Sequence, residues 1–180
     1  NPAHQFYLCG FKALIYSRPI LLLIEETRTQ FIVPGLEETH AREEANVDHV
    51  LVYHEYPEGQ AKGTEPFTHV KSVLSDHPEH STVGMDLENT PASLARHIKD
   101  LGYKISDIGG KIERQRYVKD QQEIERMTEA GELVGLAVKE SLNVCTTGIT
   151  ELEVDAKGNA ALFEAAAQQY PEATLDLTVM

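Results

Sequence analysis

Two apolar runs near the start of the chain flank a short polar turn. Apolar and β-favouring side chains cluster over residues 5–8 and 20–24, and again over residues 29–33. Glu25, Glu26 and Thr27 separate the last two runs, so residues 20–33 are predicted to form a β-hairpin. Because its first arm is almost entirely aliphatic, that arm is expected to be a central strand buried on both faces.

Helical and extended patterns alternate over the next eighty residues or so. After Pro34-Gly35, a short polar helix is predicted with Leu36 and His40 directed inward. Thr90 is placed to cap a later helix, and Gly102 is placed to end it in the left-handed conformation. Strands are predicted over residues 47–54, 82–86 and 103–108, helices over residues 36–44, 65–76 and 91–101, and a loop over residues 55–64. This alternation predicts an α/β fold, a mixed sheet with helices on its faces.

The pattern changes after about residue 110, where strands give way to long helices. Apolar side chains recur there at three- and four-residue steps, at Ile124, Met127, Val134, Val138, Leu142 and Cys145. Asp120 with Glu123, and Thr150 with Glu153, have the spacing of capping boxes, so a helix is predicted to begin at each pair. We therefore expect one domain over residues 1–115 and a second over residues 116–180, with a strand at residues 174–179.

Charge and composition narrow the functional classes. The 180 residues contain 16 Lys+Arg and 29 Asp+Glu, a net charge of -13, which disfavours binding to nucleic-acid phosphates. The longest aliphatic run, residues 20–24, is far shorter than the roughly 18 residues that a membrane span needs. Two cysteines do not make a disulfide framework, so a reducing cytoplasm is expected. The chain has no initiator Met, and we expect it to be a piece of a longer protein.

Histidines and cysteines are the first candidates for chemistry. The densest histidine cluster is His77 with His80, with Asp76 beside it and His69 upstream. A zinc site needs three or four converging ligands, and these neighbours are better explained as a solvated surface turn. Cys9 near His4 is likewise better explained as a small buried apolar residue than as a nucleophile.

Glycines and carboxylates provide the remaining candidates. Gly109-Gly110 lacks the pattern of a phosphate-binding loop and is interpreted as a flexible interdomain joint, and Gly131 and Gly135 as packing residues. The carboxylate clusters are interpreted as hydrated helix faces, at Glu37, Glu38, Glu43 and Glu44, and at Glu123, Glu125, Glu129 and Glu132. Composition and spacing alone therefore assign no catalytic, cofactor-binding or metal-binding residue in this segment.

Several stretches, taken in order, resemble the creatinase, prolidase and aminopeptidase P family of metallopeptidases. Residues 5–11, QFYLCGF, resemble its "I-x-Y-L-T-G-F" strand, and residues 18–42 resemble its hairpin followed by "Val-Pro-x-Leu-Glu-x-x-x-Ala". Residues 112–133 resemble its "I-x-x-x-R-x-x-K-x-x-x-E-I-x-x-M-x-x-A" helix, and residues 147–154 its "G-I-T-E-x-E-V" helix start. The order and spacing of these stretches are more specific than any one of them.

The resemblance implies a creatinase-like amino-terminal domain followed by the opening of a truncated "pita-bread" α+β catalytic domain. In that family the catalytic domain holds two divalent metal ions, manganese or alternatively cobalt or zinc, on two Asp, one His and two Glu. Those ligands would lie beyond Met180, so none is assigned here. The family would also place a helix and a strand before Asn1, and residues 12–16 are short for its variable loop.

The resemblance implies a function for the intact protein that the residues themselves do not. It would be a dimeric metallopeptidase, an Xaa-Pro dipeptidase or aminopeptidase, and this segment would contribute to dimerisation and to selection of substrate length. Two alternatives remain open. One is a relative without the metal site that binds proteins, for which a charge of -13 would suit a basic partner. The other is a creatinase.

Overall fold

The computed structural model describes residues 1–13, 18–55 and 65–173. The chain divides into two units, residues 1–118 and residues 119–180. The elements are α1 (Pro2–Cys9), β1 (Leu21–Ile24), β2 (Thr29–Pro34), α2 (Glu38–Glu44), β3 (His49–Tyr53), α3 (Pro66–Leu74), β4 (Thr82–Met85), α4 (Ala92–Asp100), β5 (Lys104–Asp107), α5 (Gly109–Tyr117), α6 (Gln121–Val144) and α7 (Glu151–Gln169). The predicted strand at residues 174–179 and nearly all of the predicted loop at residues 55–64 lie outside the described residues.

The first element is a helix, so the extended structure expected around residues 5–8 is wrong. The Asn1 side chain accepts a hydrogen bond from the Ala3 N–H, and Pro2 occupies the first turn of α1. Gly10 ends the helix in the left-handed conformation, with φ 75°, and its N–H donates to the Phe6 carbonyl at 2.8 Å. These end signals outweigh the β preference of the aromatic residues between them, because they satisfy backbone groups that a helix leaves unpaired.

The predicted hairpin is confirmed, but its buried strand is the second arm. Strands β1 and β2 pair antiparallel, and β2 pairs parallel with β3, so β2 is the central strand of a three-stranded sheet. Its residues alternate between two cores: Ile32 belongs to one, Phe31 and Val33 to the other, and all three are fully buried. The first arm, expected to be central, is an edge strand among the described strands.

Helices cover both faces of this sheet, which confirms the α/β architecture. Helices α3 and α4 pack on the Ile32 side through Val70 and Ile98, while α1 and α2 pack on the Phe31 side through Cys9 and Ala41. Strands β4 and β5 form a separate parallel pair, so the single mixed sheet that was expected is divided in two among the described residues. Met85 of β4 still joins the same core as Ile32.

Two helix starts differ from the sequence expectation. Pro91, not Thr90, occupies the capping position of α4, and the Thr90 hydroxyl donates instead to the Asp86 carbonyl at 2.6 Å. The segment before α2 is a single 3-10 turn, Gly35–Glu37. This turn buries Glu37 and leaves Leu36 75% exposed, so the inward placement of Leu36 is wrong. The turn advances each residue by a larger rotation than an α-helix does, which shifts the buried face by one position.

The second unit contains two long antiparallel helices, α6 and α7. Both begin where the sequence predicted. Both capping boxes are formed, at Asp120 with Glu123 and at Thr150 with Glu153. The predicted apolar face of α6 is present, but the described residues leave it open: Ile124, Met127, Val134, Val138 and Leu142 are 47–68% exposed. None of the described helices is long and apolar enough to cross a membrane. That this unit begins a catalytic domain stays a prediction.

Candidate functional site

A carboxylate at the hairpin turn organises a polar network of the first unit. Glu25 Oε2 accepts hydrogen bonds from Arg28 Nε at 2.8 Å and from Gln30 Nε2 at 2.6 Å, and Glu25 Oε1 pairs with His77 Nε2 at 2.7 Å. Arg28 also donates to Asp76 at 2.8 Å. Chiefly because of the hydrogen bond from Arg28, the pKa of Glu25 falls to about 2. The Glu25 network therefore ties the β1–β2 turn to the end of α3.

A second carboxylate, Asp86, joins three elements of the same unit. Asp86, directly after β4, is paired with His4 Nδ1 of α1 at 3.0 Å and accepts from the Asn89 side chain at 3.1 Å. Burial works to raise the pKa of Asp86, but these partners lower it overall. A Cβ placed on Gly109 would lie 2.7 Å from Asp86 Oδ1, so α5 starts against this carboxylate. Gly109-Gly110 is therefore the start of a helix, and its interpretation as a flexible joint is wrong.

The three histidines that are close in the sequence each have a different partner in the structure. His77 binds Glu25, whereas His80 Nδ1 lies 3.2 Å from the Gly102 carbonyl and His69 Nε2 lies 3.0 Å from the Val52 carbonyl. Within residues 1–13, 18–55 and 65–173, no three His, Cys, Asp or Glu side chains are grouped so that they could hold a metal ion. The described side chains therefore do not fit the two-metal centre that the family resemblance implies.

Cys9 lacks the surroundings that a nucleophile requires. It is 3% exposed in α1, and its thiol donates to the Gln5 carbonyl at 3.1 Å. Burial raises the pKa of Cys9, although a backbone hydrogen bond at Phe11 partly opposes this. A catalytic thiol needs a lowered pKa and a neighbouring base, whereas the buried His4 is engaged with Asp86. The side chain packs as the sequence suggested.

The first unit contains a cavity of about 810 Å³, which we call the interstrand groove. All residues of β1 (Leu21–Ile24) and of β4 (Thr82–Met85) line it. Its walls are more apolar than polar, and Glu25 with His77, and Asp86 with His4, are among the polar groups that line it. Such a surface can bind apolar groups, but its described residues include no nucleophile hydrogen-bonded to a base.

Sequence reasoning missed the Glu25 and Asp86 networks and the groove. The Glu25–Arg28 pair could have been found, because opposite charges three residues apart across a tight turn are a local signal. The pairing of His77 with Glu25 joins residues 52 positions apart, and that of His4 with Asp86 joins residues 82 apart. No periodicity in a single sequence encodes such distances.

The first unit has a mixed three-stranded sheet covered by helices on both faces, and two capped helices follow it in the chain. This arrangement can be compared with known proteins. The profile of the Creatinase/Prolidase N-terminal domain family matches residues 1–118, the whole of the first unit. The chain belongs to this family. Among curated proteins, none matches the sequence. The expected creatinase-like amino-terminal fold is thus confirmed.

Several solved structures have a similar fold. The chain is 23% identical to an X-Pro aminopeptidase from Thermotoga maritima, with a TM-score of 0.72 over 91% of this chain and 43% of that one. It is 18% identical to an Xaa-Pro dipeptidase from Bacillus anthracis, with a TM-score of 0.69 over 92% and 43%. It is 21% identical to a prolidase from Pyrococcus furiosus, with a TM-score of 0.64 over 91% and 43%. The chain therefore spans less than half the length of these proteins.

Proposed function

We propose that this chain is the non-catalytic amino-terminal part of a cytoplasmic, dimeric metallopeptidase that cleaves Xaa-Pro peptide bonds. The observation that carries the proposal is the order of its parts. A Creatinase/Prolidase N-terminal domain over residues 1–118 is followed by two helices, and about 91% of the chain superposes on an X-Pro aminopeptidase. The matched proteins differ in whether they are described as dipeptidases or aminopeptidases, and the proposal covers both.

The open apolar face of α6 supports a role as one part of a larger catalytic unit. Met127, Val138 and Leu142 are each more than half exposed. Soluble proteins seldom leave a helix-long aliphatic stripe in water, because burying such surface is favourable by roughly 25 cal/mol per Å². We expect this stripe to pack against the remainder of the catalytic domain, which would also supply the metal ligands, manganese being the expected ion.

The proposal is tested by comparing two polypeptides. Residues 1–180 alone are expected to show no hydrolysis of Xaa-Pro dipeptides or of longer Xaa-Pro peptides with added manganese, cobalt or zinc. The longer protein that contains them is expected to hydrolyse at least one of the two substrate lengths in the presence of a metal. Activity of residues 1–180 alone would contradict the proposed position of the active site. Hydrolysis of creatine by the longer protein, in place of Xaa-Pro peptides, would contradict the proposed substrate.

A protein-binding role is the second candidate, and the net charge of -13 favours it. Acidic surfaces accelerate and select association with basic partners, and such association weakens as salt screens the charges. The longer protein would then bind a basic polypeptide such as a histone in a salt-dependent manner, and would have no peptidase activity with any of the three metals.

Sedimentation velocity of the longer protein measures whether it forms the proposed dimer.

A further inference from the structure

Two carboxylates contact the imidazole ring of His40, one at each ring nitrogen. His40 Nδ1 lies 3.1 Å from Glu37 Oε2, and His40 Nε2 lies 3.0 Å from Glu44 Oε2. Glu37 ends the 3-10 turn after β2 and its side chain is 7% exposed, whereas Glu44 is the last residue of α2 and its side chain is 54% exposed. We call these three residues the His40 bridge. The sequence suggested that both carboxylates lie on a hydrated helix face, and the burial of Glu37 corrects this for one of them.

The number of ring protons decides whether both contacts are hydrogen bonds. A neutral imidazole carries one N–H, so it donates to one carboxylate and turns the lone pair of its other nitrogen towards the second. An imidazolium donates from both nitrogens, and a hydrogen bond between charged partners is stronger than one between neutral groups. The geometry of the His40 bridge therefore fits the protonated ring.

The packing of the ring also suits a positive charge. The Phe11 ring lies against His40 with the two centroids 4.6 Å apart, inside the distance of about 6 Å at which an aromatic ring attracts a cation. Phe11 in turn packs edge-on against Phe31 of β2, with centroids 5.0 Å apart. Cys9, from α1, is the titratable residue of this core, and burial raises the pKa of its thiol, so it brings no negative charge at neutral pH.

The charges that act on the ring are the two carboxylates of the bridge. Arg42, the arginine on the same helix, is paired with Glu38 at 3.0 Å. Burial works to lower the pKa of His40, but the hydrogen bonds with Glu37 and Glu44 raise it overall. The ordinary value is 6.5, so the stability that the bridge contributes is complete below that pH and is lost as the pH rises through the raised pKa.

The two halves of the bridge respond differently when the ring loses a proton. Glu37 is buried, and a buried carboxylate without a hydrogen bond is costly, so the remaining N–H stays at Nδ1. Glu44 is half-exposed and takes water as its partner instead. It then carries an uncompensated negative charge at the carboxyl end of α2, where the helix dipole is also negative. The Ala45 N–H, which donates to the Ala41 carbonyl at 3.1 Å, closes that end of the helix.

We propose that the His40 bridge is a proton-operated clamp on the end of α2. The protonated ring holds Glu37 and Glu44 together, and loss of the Nε2 proton in alkaline solution releases Glu44 and loosens the last turn of the helix. The Asn46 N–H donates to the Cys9 carbonyl at 2.8 Å, so the loosened turn lies directly beside the end of α1. The clamp is a property of the first unit and does not depend on the function proposed for the whole protein.

Nuclear magnetic resonance of the 180-residue chain with nitrogen-15-labelled histidine tests the clamp between about pH 6 and pH 10. At the lower pH both ring nitrogens of His40 are expected to be protonated, and at the higher pH Nδ1 alone. The titration midpoint is expected to lie above that of the same residue in the urea-unfolded chain. Glu44→Gln is expected to lower the midpoint, whereas the matched control Glu43→Gln, at the neighbouring exposed position, is expected to leave it unchanged.

Hydrogen exchange measures the loosening of the helix end. After correction for the base catalysis of exchange, the Ala45 amide is expected to lose protection as His40 loses its proton. The Tyr170 amide, which closes α7 on the Ala166 carbonyl at 2.8 Å, is the reference, because no histidine lies in that helix.

Three results would overturn the proposal. The first is an unprotonated ring nitrogen of His40 at about pH 6, which would place the proton on Glu37. The second is a midpoint that falls no further in Glu44→Gln than in Glu43→Gln, which would show that the contact with Nε2 contributes nothing specific. The third is a parallel loss of protection at the Ala45 and Tyr170 amides, which would show that the end of α2 opens only with the chain as a whole.

Discussion

Gly158 of α7 packs so closely on α6 that a Cβ added to it would overlap the Ser141 hydroxyl oxygen and lie 3.0 Å from the Ala137 carbonyl oxygen. The Ser141 hydroxyl donates across the same contact to the Val154 carbonyl at 3.3 Å. Gly131 and Gly135, which the sequence suggested as packing residues, have no atom within 4 Å of such a Cβ in the described part of the chain. The close approach of the two helices therefore depends on Gly158.

Gly158→Ala is expected to destabilise the helical unit by about 1–3 kcal/mol, because the gain in helix propensity is smaller than the cost of overpacking against a backbone carbonyl. Urea unfolding of the 180-residue chain, followed by circular dichroism, measures the change. Gly135→Ala is the matched control and is expected to stabilise the same unit by up to about 1 kcal/mol. If both substitutions stabilise the chain to the same extent, the close contact at Gly158 is not present in solution.

Glu25→Gln is expected to destabilise the first unit at neutral pH by about 1–3 kcal/mol, because it removes the charge that Arg28 and His77 share. The exposed neighbour Glu26 offers a matched control, and Glu26→Gln is expected to have little effect. Thermal unfolding of the two variants and the unsubstituted chain measures the difference. Equal effects of the two substitutions would show that the network contributes nothing specific.

The Glu25 network also predicts a direction of pH dependence. The folded pKa of Glu25, about 2, lies below its ordinary value of 4.5, so the unfolded chain takes up a proton first as the pH falls. The stability contributed by Glu25 is complete above about pH 4.5 and is lost as the pH falls towards 2. Unfolding free energies measured at intervals between pH 5 and pH 2 should therefore converge for the unsubstituted chain and Glu25→Gln. Parallel curves would contradict this explanation.

The two cysteines are expected to differ strongly in reactivity. Cys145 is exposed at the end of α6, whereas Cys9 is buried and burial raises the pKa of its thiol. Since the thiolate is the reactive form, a thiol reagent at neutral pH should modify one cysteine quickly and the other only after denaturant is added. Mass spectrometry of labelled peptides assigns the sites, and Cys145→Ser should abolish the fast phase. Fast labelling that persists in Cys145→Ser would place Cys9 at the surface.

Much of the fold could be predicted because its signals are local. The hairpin follows from a polar turn between apolar runs, and the starts of α6 and α7 follow from capping residues three positions apart. The predictions that were wrong involve competition between neighbours in space. The many aliphatic residues of β1 led to the prediction that β1 is the central strand, but the strand with a neighbour on each side is β2. The aromatic residues near the start favoured a strand, but Asn1, Pro2 and Gly10 made that segment a helix.

The sequence by itself determined the α/β class, the hairpin, the capped helices and the resemblance to creatinase/prolidase amino-terminal domains. Torsional preferences, caps and hydrophobic periodicity act over a few residues, so each can be recognised in the sequence without knowing the rest of the chain. Only the tertiary structure decided that Glu25 binds His77, that Asp86 binds His4, and that β1 and β4 line the same groove. These relationships join residues that are about 50 to 80 positions apart, and they exist because packing the helices onto both faces of the sheet brings those residues together.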